Sequence, residues 1–139
     1  MKIRQTHDLV FRGFFGEDKK NSLPNHSGLY FVYRGTQNKD NTCTPNELLY
    51  IGQAENVNDR VNGTHEHYDD WCSYLKNNEM LYYSTCPVES YLLDEVEAAY
   101  IFHSQPPVNT QCKENYNHNP VRIKSSGRVI LIDTDFNVG

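Results

Sequence analysis

The sequence predicts an α+β fold: a small central antiparallel β-sheet of about three core strands plus a C-terminal strand, flanked by helices. Two observations carry that expectation. Short runs of aromatic and β-branched residues, Gly28 to Tyr33 and Leu48 to Gly52, each end near turn-forming stretches. Further on, Leu92, Leu93, Val96, Ala99 and Tyr100 fall on one stripe at helical spacing. At 139 residues the chain makes one ordinary domain, burying about two-thirds of its unfolded surface.

Residues 1–27 read as an N-terminal extension, with a short piece around Leu9, Val10 and Phe11 and a polar loop from Gly16 to Ser27. Leu29 to Tyr33 is the first strand. The turn-rich stretch from Arg34 to Glu47 joins it to an antiparallel neighbour, Leu48 to Ile51. Val57 and Val61 predict a short helix over 55–61, which Asn62-Gly63 terminates. Residues 65–76 hold the only tryptophan, Trp71, and read as a loop leading into a second helical turn. Met80 to Cys86 is strand three. Pro87 suits the first turn of a helix, with Glu89 placed to favour its N-terminal dipole, and the helix runs through Ser90 to His103 until Pro106-Pro107 stops it. Residues 110–128 read as a polar loop and Arg128 to Phe136 as a last strand. The core thus spans 28–110, and residues 111–139 pack on it as a loop and strand.

A hydrophobic fraction of 37% and a mean hydropathy of −0.74 describe a polar chain with a modest core. Its ten tyrosines supply much of the core volume. No apolar run approaches the ~18 residues that span a bilayer, and the first residues lack the apolar stretch of a signal peptide. The expectation is a cytoplasmic protein with no membrane partner. Cys43, Cys72, Cys86 and Cys112 form no CxxC pair and read as reduced thiols. His65-Glu66-His67 looks metal-like, but its histidines are too close for a structural zinc motif. The net charge of −5 is unevenly spread: +4 over 1–39, −10 over 40–97 and +1 over 98–139. Any basic footprint for a polyanion comes from both ends, around Arg4, Arg12, Lys19, Lys20, Arg122, Lys124 and Arg128.

Tyr30 and Tyr50, delivered on neighbouring strands, can turn two phenols toward one cleft; the plainer reading is half-buried core, as for the other eight tyrosines. Arg60 follows Tyr50 by ten residues. Glu97 sits about 40° from Leu93 on a helical wheel, at the edge of the apolar stripe. Burying a carboxylate unpaired is costly, so Glu97 belongs at a cleft rim or beside a partner such as Arg60. Asp94 and Glu95 face solvent as ordinary charges.

Gly28-Leu29-Tyr30, Tyr50-Ile51-Gly52, Arg60, Glu97 and the segment from Pro106 to Asn109, in this order and spacing, resemble the GIY-YIG nuclease family. The resemblance covers residues 28–109. It implies a metal-dependent endonuclease that hydrolyses phosphodiester bonds of nucleic acid, first of all DNA. By the same resemblance Glu97 holds Mg²⁺ or Mn²⁺, Arg60 stabilises phosphate charge, Arg60 and Asn109 bind substrate, and Tyr30 and Tyr50 are the general-base candidates. A phenol, with an ordinary pKa of about 10, is a poor base unless a cation lowers that value, so such a site needs the phenols and the arginine together. Some restriction-type members carry a histidine about four residues after the arginine. Here His65 follows by five and is a helper candidate accepting a proton from a tyrosine; a surface histidine is the other reading. Two departures stand out. Gln53 replaces a lysine common in repair and homing members, and no attached DNA-reading module is recognisable. They keep an alternative open, a catalytically inactive module that binds nucleic acid or protein. Small restriction-type members often work in pairs, so a homodimer is equally open.

Overall fold

The computed structural model describes residues 3–139. Its six strands are β1 (Gln5–Gly16), β2 (Gly28–Gln37), β3 (Cys43–Ala54), β4 (Glu79–Pro87), β5 (Val121–Gly127) and β6 (Asp135–Val138). Its helices are α1 (Val57–Asn62), α2 (Tyr68–Ser73) and α3 (Leu93–Ser104). The strands form one sheet in the order β3-β2-β4-β1-β5-β6. The α+β class holds, with a larger and mixed sheet: β2 pairs antiparallel with β3 and β4, while β1 and β5 run parallel.

Residues 5–16, read from the sequence as part of an extension, form a strand inside this sheet. Leu9 and Phe11 are buried while Asp8, Val10 and Arg12 are exposed, the alternation of a strand with one face on the core. The first half of β1 pairs with β5, from Gln5 opposite Val121 to Phe11 opposite Gly127. Its second half, from Arg12 to Gly16, pairs with β4, with an irregularity between Arg12 and Phe15. One strand thus hands the sheet from one half to the other.

The C-terminal strand also differs from expectation. Val121 and Ile123 are buried between exposed Arg122 and Lys124, so β5 falls within the stretch expected to be loop. Residues 128–134 leave the sheet, with the Arg128 N–H bonded back to the Phe11 carbonyl, and β6 begins only at Asp135. Pro87 closes β4 instead of opening a helix, and α3 starts at Leu93 after one 3₁₀ turn, Ser90–Leu92.

Side chains pack on both sides of the sheet. On one side α3 covers Leu29, Phe31, Tyr33, Ile51, Val121 and Ile123; on the other, α1 and α2 cover Tyr30, Val32, Leu49, Leu81 and Tyr83. Asn56 caps α1 by accepting from the Asp59 N–H. The same helix is tied to the segment before β2, where the Asn58 amide donates to the Asn21 and Leu23 carbonyls and Asn62 to that of Lys20. Arg60 is therefore carried on a helix whose seat is made by residues 17–23.

Phe11 meets Phe31 and Tyr100 edge-on, at centroid distances of 4.9 and 5.9 Å. Phe11→Ala is expected to cost about 3–5 kcal/mol in urea denaturation; a loss under about 1 kcal/mol would mean that β1 is not part of the core.

Candidate active site

β3 is an edge strand, and its outer edge is covered rather than open. The Val108 N–H donates to the Leu49 carbonyl at 3.0 Å. Next to it, Asn109 Oδ1 accepts from the Ile51 N–H and its Nδ2 donates to the Ile51 carbonyl, both at 2.9 Å. This side chain imitates a neighbouring strand and satisfies groups that would otherwise be orphaned. Pro106-Pro107 and the left-handed Gln105 (φ 53°) turn the chain off α3 toward this edge.

Along the covered edge the two packed sides of the sheet meet in a small polar cleft of ≈140 Å³. Tyr50, Glu66 and His67 line it from the α1–α2 side; Glu97 and Ile101 of α3 and residues 109–112 line it from the other. A larger hollow, ≈440 Å³, lies between Gly13–Phe14, residues 41–45 and residues 127–130. It holds no cluster of titratable groups beyond Cys43 and Arg128, whereas Tyr50, Glu66, His67 and Glu97 gather around the smaller cleft.

The two motif glycines have a steric reason. A Cβ on Gly28 would collide with the Cys86 carbonyl across the β2–β4 pair, and one on Gly52 would fall inside the Tyr30 phenol. Tyr30 therefore lies pressed on the main chain of β3, 1% exposed. Its oxygen is 2.7 Å from His65 Nε2. Trp71, fully buried, packs on the His65 ring with centroids 4.4 Å apart and on Tyr50 at 5.4 Å. His65 is thus an interior residue, and Trp71 is the wall that holds it; the sequence offered no signal for that pairing.

Glu97 is half-buried and, among the described residues, has no cation paired with it. Its Oε1 accepts from Gln53 Nε2 at 3.1 Å, and the same amide donates to Asp94 Oδ1 at 2.7 Å. Burial, partly offset by the Gln53 hydrogen bond, pushes the Glu97 carboxyl up to about 7. Arg60 turns away from Glu97: its Nη2 meets both carboxylate oxygens of Glu66 at 2.8 Å. That contact holds Glu66 down to about 2. Burial raises both phenols, Tyr50 to about 12 and Tyr30 further. For both, Glu97 and Glu66 add to the rise and Arg60 opposes it. Burial and the Arg60 charge push His65 down to about 4, so its ring is neutral.

The structure thus brings Tyr50 and Glu97 into one cleft, reaches Arg60 through Glu66, stacks Tyr30 and His65 behind Tyr50, and places Asn109 in the wall. Gln53, bonded to Glu97, and Glu66, bonded to Arg60, are the neighbours of these residues that sequence reasoning missed. Gln53 was visible only as a missing lysine, and Glu66 only as part of a histidine motif. Among the described residues no group of three or more His, Cys, Asp or Glu forms a cage for a metal ion. A single buried carboxylate without a cation fits a hard ion that keeps most of its own waters.

His65 and Glu97 impose opposite pH dependences on stability. The folded protein withholds a proton from His65 between about 4 and 6.5, so that contribution is complete above 6.5 and is lost as pH falls. It retains a proton on Glu97 between 4.5 and about 7, so that contribution is complete below 4.5 and is lost as pH rises. In metal-free urea titrations, Glu97→Gln is expected to leave stability rising from pH 4.5 to 6.5, and His65→Gln to leave it falling over the same window. Identical slopes in the two variants would contradict the assignment.

The family model for the GIY-YIG catalytic domain matches residues 29–115. No curated protein and no solved structure matches the chain. The matched stretch is well over half of the chain and contains Tyr30, Tyr50, Arg60, His65, Glu97 and Asn109 at the geometry described; this chain belongs to the GIY-YIG family.

Proposed function

We propose that the protein is a metal-dependent endonuclease that hydrolyses phosphodiester bonds of nucleic acid, DNA first of all. Family membership supports nuclease-type cleavage of nucleic acid in general. The observation that carries the finer reading is the meeting of Tyr50, Glu97 and the Arg60–Glu66 pair around one polar cleft at the edge of β3. Glu97 is the residue that would hold Mg²⁺ or Mn²⁺, and when bound the ion supplies positive charge to the phosphate oxygens.

The chain's own groups supply the rest. Arg60 offers its guanidinium to a phosphate oxygen, beside Glu66, which engages only its Nη2. Water attacks phosphorus, the bond to the leaving oxygen breaks, and the water's proton passes to an ionised phenolic oxygen. The resting phenols are not ionised, because burial, Glu97 and Glu66 all oppose it. A cation bound at Glu97 would offset one of those causes, and the Arg60 charge already opposes them. Asn109 contributes by fixing the β3 edge on which Tyr50 stands. The four free thiols and the absence of any helix long and apolar enough to cross a membrane among the described residues support a cytoplasmic setting.

Purified protein with supercoiled plasmid at low salt and Mg²⁺ or Mn²⁺ should nick or linearise it. EDTA should stop the reaction, and Glu97→Ala and Arg60→Ala should each lose about 10²-fold or more. Absence of cleavage on plasmid, branched DNA and RNA, from a folded protein, would favour a binding module instead. Glu66→Gln frees Arg60 and removes a negative charge from the cleft. It should tighten DNA binding, read by fluorescence anisotropy in Ca²⁺, by about two- to fivefold, the scale of an exposed ion pair. Unchanged or weaker binding would show that Glu66 does not compete with phosphate.

A further inference from the structure

Residues 105–120 join α3 to β5 with neither helix nor strand among them. Connections longer than about 12–15 residues are uncommon, and are either functional or disordered. This one is fastened along its length. Gln105 Nε2 donates to the Lys113 carbonyl and Lys113 Nζ to the Pro106 carbonyl, both at 2.8 Å. The Tyr116 ring packs on Phe102 of α3 at a centroid distance of 6.3 Å. Further along, the Asn119 N–H donates to Glu95 Oε1 of the same helix at 3.3 Å.

Between this loop and α3 lies a hollow of ≈270 Å³, walled by Ala98, Lys113, Asn115, Asn117 and His118. It adjoins the cleft of Tyr50 and Glu97, because Thr110 and Cys112 line both. The two differ in charge. Glu66 and Glu97 line the cleft. The hollow sets one lysine, Lys113, against one acid, Glu114, and its other polar side chains are hydroxyl, thiol, amide and imidazole. The Pro106 carbonyl takes one donor of the Lys113 ammonium, and the remaining donors meet no acceptor among the described residues. A loop that only covered α3 would set apolar side chains over Ala98. Here Tyr116 does the covering, and Asn115, Asn117 and His118 stay exposed around the hollow. An ammonium with amide and imidazole donors around it suits a phosphodiester of a nucleic-acid backbone.

We propose that this hollow is a second phosphate site, which holds the backbone of the substrate strand next to the bond that is cut, with Lys113 as its cation. It rests on the nuclease reading above. A strand with its scissile phosphate in the cleft passes the shared wall at Thr110 and Cys112 to enter it. Arg60 and Lys113 then hold the strand from the two sides of the sheet, which meet at the β3 edge.

Affinity for a labelled DNA duplex, read by fluorescence anisotropy in Ca²⁺ across a salt series, counts the contacts. Each neutralised phosphate of duplex DNA contributes about 0.9 to the slope of log K against log salt. Lys113→Gln should reduce the slope by about one and weaken binding at low salt, whereas Lys113→Arg should preserve both. Lys39→Gln removes the same charge from the exposed turn between β2 and β3 and should leave the slope unchanged. Neutral methylphosphonates, placed one at a time along the cleaved strand, then locate the contact. One position beside the cut should weaken binding by wild-type protein and have no further effect on Lys113→Gln. Equal slopes for wild type and Lys113→Gln, or an equal drop for Lys39→Gln, overturn the site and leave the nuclease reading standing. So does a scan in which no phosphate beside the cut matters to the wild-type protein, an arm that needs no variant to fold. Folded wild-type protein that neither binds nor cleaves nucleic acid would defeat the nuclease reading, and the site with it.

Discussion

The two hydrogen bonds between the Asn109 amide and the main chain of Ile51 are the constraint on which the site depends. Tyr50 belongs to the side of the sheet packed by α1 and α2, and Glu97 to the helix on the other side. They can share a cleft only at the sheet's edge, and only if the chain leaving α3 is fastened there. A side chain that must accept from one main-chain group and donate to the other has to be an amide; an ionised aspartate has no donor. In the proposed reaction Asn109 therefore acts through position. Releasing it would open the β3 edge and draw Glu97 away from Tyr50.

The charges in the cleft are arranged against each other in the resting state. Glu97 is desolvated without a countercharge, both phenols are held protonated, and the one nearby guanidinium is occupied by Glu66. Such a site stores no nucleophile at rest. It also means that the groups are coupled, because Glu97 and Glu66 each contribute to holding Tyr50 protonated. Removing either changes the phenol as well as its own contact, so the effects of single variants will not add.

The parts of the fold legible in the sequence were those with strong local periodicity: β2, β3, β4 and α3. β1 and β5 were harder to see because each shows only two buried residues in alternation, Leu9 with Phe11 and Val121 with Ile123, among polar neighbours. What makes them strands is their pairing with each other across more than a hundred residues, which no local window contains. The site was legible as a set of types and spacings, Tyr30, Tyr50, Arg60 and Glu97, but their contacts were not. Arg60 was one of two expectations for Glu97, the other being a cleft rim; it is bonded to Glu66 instead, since α1 aims it at the start of the following loop. Tyr30 and Tyr50 looked equivalent as two strand tyrosines. Only the absent side chain at Gly52, which lets one ring sink onto the sheet, sets them apart.

Gln53 shows how an acidic chain can still be suited to a polyanion. A lysine at this position would meet both Asp94 and Glu97, neutralise them and compete with any cation for the same oxygens. The glutamine amide aligns the two carboxylates through hydrogen bonds of 2.7 and 3.1 Å but adds no charge. The excess negative charge of residues 40–97 is thereby left uncompensated at the point where the proposed reaction needs a cation. The residues lining the cleft bring mostly negative charge to it, and Glu66 engages one nitrogen of Arg60. A divalent ion held at Glu97 would supply the positive charge that the residues lining this cleft do not bring to a phosphate.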